Sequence, residues 1–329
     1  MSAMLTLEEA QARLLELARP TEVLMQPADE LKGPRCLARD IQALRIQPAA
    51  DLSAMDGYAI AGSGPWRRMG ESRAGAPFAG TLSEGQCARI STGAHMPEGS
   101  DRVLIQENAK IDGDIVAATE LPAQGQHVRR RGFDFGEGDN LLSAGTKVGP
   151  AQIALAMSAG HAELPVWSAP RVSVLDSGDE LVRDPSRCGP GQIPASNGAM
   201  IAAMLQPYAG EVERVGPVPD ERAAMVAALD TAERADIIVT SGGASVGDHD
   251  HLQDALRDWG ADLAFWKVAI KPGKPLLVAT RKRAGNPDQI IVGLPGNPVS
   301  SFVTCFLFAL PLVRANLGDP SPLPKTRPA

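Results

Sequence analysis

Cysteine is scarce in this sequence, and the few that occur form no metal-binding or redox pattern. The chain has 329 residues and four cysteines, at positions 36, 87, 188 and 305, with no C-x-x-C spacing. This spacing argues against a zinc ribbon and against a thiol redox motif. It favours reduced thiols and therefore a cytoplasmic location.

The sequence also lacks an excess of positive charge and a long hydrophobic run. Its formal net charge is −7, so repulsion from phosphates argues against a general nucleic-acid-binding protein. The N-terminus has no basic region followed by an apolar segment, which argues against a leader peptide. The apolar segment 302–313 is too short to span a bilayer and contains Pro311, so we expect a buried helix and no membrane association.

The alternation of polar and apolar residues predicts an α/β protein with a second, β-rich part. From residue 170 onward, alternating strand and helix patterns predict a mostly parallel, three-layer sheet domain with helices on both faces. Short alternating segments predict a small β-rich domain, flanked by a helical or linker domain. The predicted boundaries are 1–44 with 136–168 for the linker domain, 45–135 for the β-rich domain, 169–318 for the α/β domain and 319–329 for a proline-rich tail.

Local patterns also predict where individual elements begin and end. Thr6 and Glu9 fit a capping box at the first helix. Asp220 is expected to cap a helix over 220–235, and Asn297 is expected to cap a helix that begins with Pro298. Strands are predicted over 211–215, 236–243, 263–270, 275–280 and 289–296.

Three glycine-bearing loops follow predicted strands of the α/β domain. They are DSGDE (176–180), SGGASVG (241–247) and GLPGNP (293–298). In an open α/β sheet, ligands bind beyond the carboxyl ends of the strands, so we expect these loops to gather there. Glycine in such a turn can have a purely steric reason, but three loops together favour a crevice that binds phosphate. Donors are expected from Gly242, Gly243, Ser245 and Gly296, and from the helix N-terminus at Asn297.

The segment GASVG (243–247) also fits the G-x-S-x-G pattern of a serine hydrolase. In that fold the serine follows the strand directly, whereas Ser245 lies four residues after Thr240, the predicted strand end. The hydrolase order also requires a histidine well downstream of the serine. The later histidines are His249 and His251, which are too close to Ser245 to serve. We therefore expect Ser245 to line a ligand loop.

Acidic and basic residues near these loops favour a metal-bound, anionic ligand. Asp179 and Glu180 follow one predicted strand, Asp248 and Asp250 follow another, and such carboxylates suit Mg²⁺. Helix capping is an equally good interpretation of Asp248 and Asp250, and His249 and His251 fit solvated or supporting positions. The segment FWKVAIKPGKP (265–275) carries Lys267, which is predicted to lie within a strand, Lys271 and Lys274. These lysines favour oxyanion binding, although surface solvation also explains Lys274.

Together these segments resemble the molybdopterin molybdenumtransferase family, which includes the gephyrin E domain. The resemblance extends from about residue 5 to residue 318. It is carried by SAMDGYA (53–59), STGAHMPEGSD (91–101), RRRGFDFGEGDNLL (129–142), SGDEL (177–181), SGGASVGDHD (241–250), FWKVAIKPGKP (265–275) and GLPGNPVSSF (293–302). The match of all seven in order makes the resemblance specific.

The resemblance implies an enzyme of molybdenum cofactor biosynthesis. Such an enzyme inserts molybdenum from molybdate into adenylylated molybdopterin, releases AMP and depends on Mg²⁺. The resemblance also implies an elongated homodimer, with the active site between the sheet domain of one subunit and the β-rich region of the other. Contact with other proteins of molybdenum cofactor biosynthesis is a further expectation. The sulfurs that hold molybdenum belong to the pterin, so no cysteine cluster is required.

The resemblance also implies roles for individual residues. The expected catalytic residues are Asp56, Thr92, Asp134, Glu180, Asp250, Lys267 and Lys271. The residues expected to bind the pterin or its nucleotide are Gly242, Gly243, Ser245, Lys274, Pro295, Asn297 and Ser300. The expected metal ligands are Glu180, Asp220 and Asp250.

The sequence departs from the family pattern at several points. Relatives usually continue into a C-terminal β-barrel domain, which we expect this chain to lack. Relatives often carry an acid and a base around the Ser-Asn pair, where this chain has Ala195 and Gly198, and Phe133 replaces an acid beside Asp134. These departures keep open a second hypothesis, that of a protein that binds or carries molybdopterin or the molybdenum cofactor without turnover. The acids and lysines favour the enzyme.

Overall fold

A computed structural model describes residues 4–20, 22–242 and 251–325. The chain forms two units. The first comprises Met1–Asp40, Ser143–Ile153 and Ala162–Ala329, and the second comprises Ile41–Leu142 and Ala154–His161. The chain therefore leaves the first unit and returns to it twice. The finer division into three domains and a tail stays a prediction.

The helices lie mostly in the first unit. The α-helices of the described residues are α1 (Leu7–Leu17), α2 (Pro150–Ser158), α3 (Ser196–Leu205), α4 (Arg222–Thr231), α5 (Leu252–Asp258), α6 (Pro298–Thr304) and α7 (Leu310–Asn316). A π-helical turn, Cys305–Ala309, joins α6 to α7. Short 3-10 turns occur at Ala28–Glu30, Gln106–Asn108 and Pro185–Arg187.

Strands occur in both units. From the N-terminus to the end of the second unit's strands they are β1 (Val23–Pro27), β2 (Ile41–Gln42), β3 (Leu52–Ser53), β4 (Gly57–Ile60), β5 (Trp66–Ser72), β6 (Gln86–Ile90), β7 (Arg102–Ile105), β8 (Ala109–Asp112), β9 (Ile115–Ala118), β10 (Val128–Arg129) and β11 (Asn140–Leu142). The remaining strands are β12 (Glu163–Trp167), β13 (Arg171–Ser177), β14 (Leu181–Val182), β15 (Ile193–Pro194), β16 (Glu211–Val218), β17 (Ile237–Ser241), β18 (Ala261–Trp266), β19 (Leu277–Arg281) and β20 (Gln289–Leu294).

The first unit is built on a six-stranded sheet in the order β16-β13-β17-β20-β19-β18. The first four strands of this order are parallel, and β19 and β18 are antiparallel to their neighbours. Strands connected through helices run parallel because the crossover returns the chain to the same edge. The prediction of a mostly parallel sheet is confirmed.

Alternating side chains of the sheet supply a core on each face. Ile237 and Val239 of β17 pack with residues of α1, α3 and the helix at 298–316, whereas Ile238 packs with residues of α4 and α5. This alternation follows from the two-residue period of a strand. Both faces of the sheet are therefore covered, which gives the predicted three layers.

The helix over 298–316 is longer than the apolar segment 302–313 indicated. It has 19 residues and a mean hydropathy of 1.6, so by length and composition it could cross a membrane. The core helix of a globular protein passes the same test, and 44% of the most apolar window is buried. Phe308 and Leu312 are fully buried in the core beside the sheet. The burial supports the predicted core helix, although Phe302 and Phe306 remain exposed on its outer side.

The π-helical turn precedes Pro311, which does not end this helix. Proline has no N–H to donate to the carbonyl four residues earlier, here that of Leu307. The Gln11 side chain of α1 donates to the Leu307 oxygen through Nε2 at 2.9 Å. A side chain from a neighbouring helix thus replaces a hydrogen bond that the backbone cannot make.

The N-terminal segment combines a helix and a strand. Thr6 and Glu9 form the predicted capping box of α1, with Glu9 N donating to Thr6 Oγ1 at 3.2 Å and Thr6 N donating to Glu9 Oε2 at 2.9 Å. The helical pattern predicted for residues 1–44 is wrong beyond this helix. Residues 23–27 form β1, which pairs antiparallel with β12, because pairing with a distant segment outweighs local preference.

The second unit is β-rich, as the short alternating segments indicated. Its six-stranded sheet has the order β7-β4-β6-β5-β9-β8, in which β5 and β6 are parallel and the other pairs antiparallel. A buried cluster that includes Tyr58, Ile60, Trp66 and Leu104 lies against it.

A buried carboxylate fixes the chain after α7. Asp319 binds Lys147 Nζ at 2.8 Å and Arg314 Nη2 at 2.7 Å, and its side chain is only 4% exposed. Burial alone would raise the pKa of Asp319. Hydrogen bonds from Lys147, Ser321 N–H and Arg314 outweigh burial, so the pKa lies below its usual value.

Candidate functional site

The loops after β13, β17 and β20 meet at one edge of the sheet of the first unit. These strands lie side by side and parallel, so their carboxyl ends share that edge. A Cβ placed on Gly242 would lie 2.8 Å from the Ser177 oxygen, and one on Gly296 would lie 3.8 Å from Gly242 Cα. The predicted gathering of the three loops is confirmed for their described residues.

Gly242 matters because it has no side chain, and its N–H is already hydrogen-bonded within the protein. Its φ is +96°, in the left-handed region that favours glycine. Its N–H donates to the Leu294 oxygen at 3.2 Å. The expectation that this N–H binds a phosphate is therefore wrong, because it is paired within the sheet edge. Gly242 instead allows the loops after β13 and β17 to approach closely.

The rest of the second glycine loop lies outside the described residues. It includes Gly243, Ser245 and Asp250, together with Asp248 and His249. Their roles as loop donors, metal ligand or cap stay predictions.

Three acidic residues, Asp179, Glu180 and Asp220, follow the ends of β13 and β16 and together form the acidic group. Asp220 N donates to Asp179 Oδ1 at 3.1 Å, which joins the two loops. Desolvation, and then the negative charges of Asp179 and Glu180, raise the pKa of Asp220, although a hydrogen bond from Asp179 N–H opposes them. Carboxylates held this close repel one another, so a cation at this edge would relieve that repulsion.

Asp220 does not cap a helix, contrary to the prediction. α4 begins at Arg222, its N-cap residue is Glu221, and no side chain of that residue caps it. β16 extends to Val218, three residues beyond its predicted end. Asp220 therefore lies in the loop between strand and helix, with its carboxylate in the acidic group.

The lysine-bearing segment connects β18 and β19 at the same edge of the sheet. One row of paired residues crosses the sheet through Leu175, Thr240, Gly293, Leu277 and Trp266. The lysine segment lies between Trp266 and Leu277, and the glycine loops follow Leu175, Thr240 and Gly293. Three strand spacings separate β17 from β18, or roughly 14 Å. The edge is therefore long enough for an extended ligand.

Lys267 lies just after a strand, and the prediction that it lies within one is wrong. β18 ends at Trp266, and Lys267 has a φ of +67°. Its Nζ lies 3.9 Å from the centre of the Trp266 ring, a cation–π contact. The backbone turns at this residue, which ends the strand and fixes the ammonium group over the ring.

The remainder of the lysine segment is held by backbone contacts and packing. Ala269 N donates to the Leu5 oxygen at 2.8 Å, and Val268 N donates to the Lys274 oxygen at 3.1 Å. A Cβ on Gly273 would lie 2.5 Å from Thr304 Cγ2 of α6. Lys271 and Lys274 are exposed on this fixed segment, so both charges remain available to a ligand.

The third glycine loop is fixed by the start of α6. Asn297 caps the helix with Pro298 at its first position, as predicted, and its Oδ1 accepts from Ser300 N at 3.1 Å. Ser300 Oγ also donates to this oxygen, at 3.4 Å. The Pro295 oxygen accepts a hydrogen bond from Ser301 Oγ. Asn297, Pro295 and Ser300 thus shape the loop.

A residue that the sequence analysis did not single out joins two of the loops. Asn197, in the first turn of α3, donates through Nδ2 to Ser241 Oγ at 2.9 Å and to the Gly296 oxygen at 2.8 Å. Ser241 Oγ also lies 3.5 Å from Ser301 Oγ. Asn197 therefore ties the end of β17 to the loop after β20. The sequence signal that could have indicated Asn197 was its place in the Ser-Asn pair, at which this chain was compared with the family pattern.

Comparisons with known proteins agree with this architecture. Residues 5–160 match the family described as "MoeA N-terminal region (domain I and II)", and residues 173–315 match "Probable molybdopterin binding domain". A molybdopterin molybdenumtransferase of Haemophilus influenzae is 36% identical over 324 residues, which cover 96% of this chain and 78% of the relative. The chain belongs to the molybdopterin molybdenumtransferase family. Molybdopterin molybdenumtransferase 2 of Mycobacterium tuberculosis is 34% identical and covers 97% of this chain and 81% of its own length.

Solved structures give the same family fold. Two crystal structures of the molybdopterin biosynthesis MoeA protein of Pyrococcus horikoshii match with TM-scores of 0.81 and 0.78, at 27% and 26% identity. Each covers 96% of this chain, and the match covers 81% and 79% of those chains. Membership of the molybdopterin molybdenumtransferase family places the chain among the transferases of molybdenum cofactor biosynthesis.

Two of the family-motif residues of the second unit are in direct contact. Asp56 Oδ1 accepts from Thr92 N at 2.7 Å and from Thr92 Oγ1 at 3.1 Å. The backbone hydrogen bond, followed by the side-chain one, holds the pKa of Asp56 below its usual value. Asp134 is exposed, and its N–H donates to the Gln47 oxygen. The structure thus pairs Asp56 with Thr92.

Proposed function

We propose that this protein inserts molybdenum from molybdate into adenylylated molybdopterin and releases AMP. The observation that carries the proposal is the single sheet edge on which three glycine-bearing loops, the acidic group and the lysine segment all lie. An adenylylated pterin has a diphosphate, and molybdate is an oxyanion, so both need positive charge and close backbone approach. The relatives' names support the same reaction.

In this proposal the glycine loops hold the pterin and its nucleotide. Gly296 leaves room for the ligand to approach the backbone, and Gly242 lets the loops after β13 and β17 lie close together. Asn297 places the N-terminus of α6 beside the ligand. Lys267, with its ammonium fixed over Trp266, and Lys271 would hold the molybdate oxygens. These side chains bind and orient the reactants, since the dithiolene that receives molybdenum belongs to the pterin.

Mg²⁺ fits the acidic group by donor type. Asp179, Glu180 and Asp220 present carboxylates, and desolvation followed by the charges of Asp179 and Glu180 raises the pKa of Asp220. The described residues contain no group of three or more His, Cys, Asp or Glu side chains that could hold a metal ion. Glu180 and Asp220 would therefore hold Mg²⁺ together with water and ligand phosphate oxygens, as is common for this ion. When bound, it would neutralise charge on the phosphates.

Further parts of the proposal concern the second unit and the assembly. We propose that Asp56, Thr92 and Asp134 take part in the reaction and that the protein is a cytoplasmic homodimer. Light scattering of the purified protein tests the dimer. An Asp56→Asn variant tests the second unit, and unchanged turnover in that variant would contradict its role.

The direct test is a turnover assay with purified protein, adenylylated molybdopterin, Mg²⁺ and molybdate, in which AMP release is followed. Glu180→Gln should reduce AMP release at least about tenfold, because it removes one carboxylate from the proposed metal site. Glu211→Gln is the matched control, since Glu211 is exposed at the opposite end of the same sheet. Tight ligand binding by the wild type without AMP release would reject the enzyme in favour of a carrier.

A further inference from the structure

The N-terminus of α3 lacks its ordinary cap, and a buried carboxylate from another strand lies against it. The N-cap residue is Ala195, which has no side-chain oxygen to accept a hydrogen bond. In an ordinary cap, the N-cap oxygen accepts from the N–H of the second or third helical residue. Here Gly198 is the third helical residue, and the carboxylate of Asp176, near the end of β13, lies against it. Asp176 is 2% exposed, so this contact is in the interior.

The carboxylate and the helix are in such close contact that only glycine fits at position 198. A Cβ on Gly198 would lie 1.9 Å from Asp176 Oδ2 and 2.6 Å from its Cγ. Real Cβ atoms do not approach other atoms so closely. Ala195 and Gly198, noted above as separate departures from the family pattern, therefore belong with Asp176 as one structural set.

A half-buried arginine completes this set. Arg214 of β16 donates through Nη2 to Asp176 Oδ2 at 3.3 Å and to the Ala195 oxygen at 3.0 Å. It therefore contacts both the Asp176 carboxylate and the N-cap residue. Asp176 Oδ1 and Arg214 Nε have no hydrogen-bond partner within the described part of the chain. The two charges thus depend strongly on each other, since a buried charge without its partner is costly.

The capped turn carries the residue that joins the ligand loops. Asn197 directly precedes Gly198 in the first turn of α3, and its amide contacts Ser241 and the Gly296 oxygen. A shift of this turn moves the amide, and shifts of even 1 Å matter at a binding site. The position of the cap therefore sets the position of both loops.

We propose that Asp176 and Arg214 are positioning residues, which hold the first turn of α3 so that Asn197 fixes the ligand loops after β17 and β20. The effect on turnover rests on the proposed function. The effect on the loops does not, because it concerns contacts within the protein alone.

The test moves the carboxylate from the strand to the N-cap position of the helix. Asp176→Ser removes the carboxylate and should raise the KM for adenylylated molybdopterin about tenfold, with a smaller effect on kcat. The double variant Asp176→Ser/Ala195→Asp places a carboxylate at the N-cap and should restore KM to within about twofold of wild type. Ala195→Asp alone puts two carboxylates at one helix N-terminus, so its free energy of unfolding should be lower than that of the double variant.

Two controls separate positioning from general loss of stability. Val174→Ala lies on the same strand and lowers core packing without touching the cap, so its KM should stay unchanged. Gly198→Ala should destabilise the wild type strongly but the Asp176→Ser background much less, because the clash is with the carboxylate. An unchanged KM in Asp176→Ser, or no rescue by Ala195→Asp, would overturn the proposal.

Hydrogen exchange gives a readout that does not depend on turnover. In Asp176→Ser, peptides covering 196–205 and 237–242 should exchange at least about tenfold faster, and the double variant should restore protection. If wild-type protein showed no turnover while this pattern held, the positioning role would stand and the proposed function would fail. Unchanged exchange in Asp176→Ser would contradict the positioning role whatever the activity.

Discussion

Replacing Asn197 by alanine tests how two ligand loops are held together. The substitution deletes two hydrogen bonds, one to Ser241 Oγ at 2.9 Å and one to the Gly296 oxygen at 2.8 Å. A typical hydrogen bond contributes about 0.5–1.5 kcal/mol net, so the pair contributes about 1–3 kcal/mol. Since Ser241 is only 3% exposed, water cannot easily replace the lost donor. We expect the free energy of unfolding of Asn197→Ala to fall by that amount.

The assay is urea unfolding, together with titration of adenylylated molybdopterin. The affinity for this ligand should fall about tenfold, because about 1.4 kcal/mol of loop ordering would then be needed on binding. Asn286→Ala is the matched control. Asn286 is exposed in the connection between β19 and β20 and donates only locally, to the Ala284 oxygen at 3.4 Å.

A second substitution makes the test sharper. Asn197→Asp keeps the shape of the side chain but places an acceptor against the Gly296 oxygen. It should therefore lower affinity more than Asn197→Ala at neutral pH. If both Asn197 variants behaved like Asn286→Ala in unfolding and in binding, the idea that this amide holds the loops would be wrong.

Three further substitutions probe the support of the site and the fold. Gly242→Ala should lower stability by at least about 1–2 kcal/mol, because φ is +96° and the new Cβ would meet the Ser177 oxygen; equal urea midpoints would refute this. Gln11→Leu should cost about 1–3 kcal/mol by leaving the Leu307 oxygen without its side-chain donor, and a neutral result in urea unfolding would contradict the bridging role. Asp319 has a lowered pKa, so its contribution is present above about pH 3.9, the unfolded value, and is lost as pH falls through the folded pKa. Thermal unfolding of Asp319→Asn should therefore show less loss of stability in acid than wild type, and parallel pH curves would refute this.

Much of the fold could be predicted because its signals are local. The strand at 237–241 begins with three consecutive β-branched apolar residues. Asn297 followed by Pro298 is a short, local signal for the start of a helix. Glycines after strands indicated the edge at which the loops meet. The errors at Asp220 and Lys267 have one cause, since each lies beside a boundary that sheet pairing moved by a few residues.

The support of the site could not be predicted in the same way. Asn197 and Ser241 are 44 residues apart, and Asn197 and Gly296 are 99 apart. No local pattern shows that these residues touch, because their contact depends on strand order and on the packing of α3 against the sheet. The same holds for Asp176 and Arg214, which are 38 residues apart.

The sequence by itself determined the α/β class, the glycine loops, the acids and lysines, and the family they resemble. Those features depend on residue type and short spacing, which are present in the chain before it folds. The tertiary structure alone decided which N–H groups are already paired, where Lys267 turns out of its strand, and that the Asp176 carboxylate lies against the first turn of a helix distant in sequence. Such contacts arise from strand register and from the lack of space at Gly198, and neither is a property of any short segment.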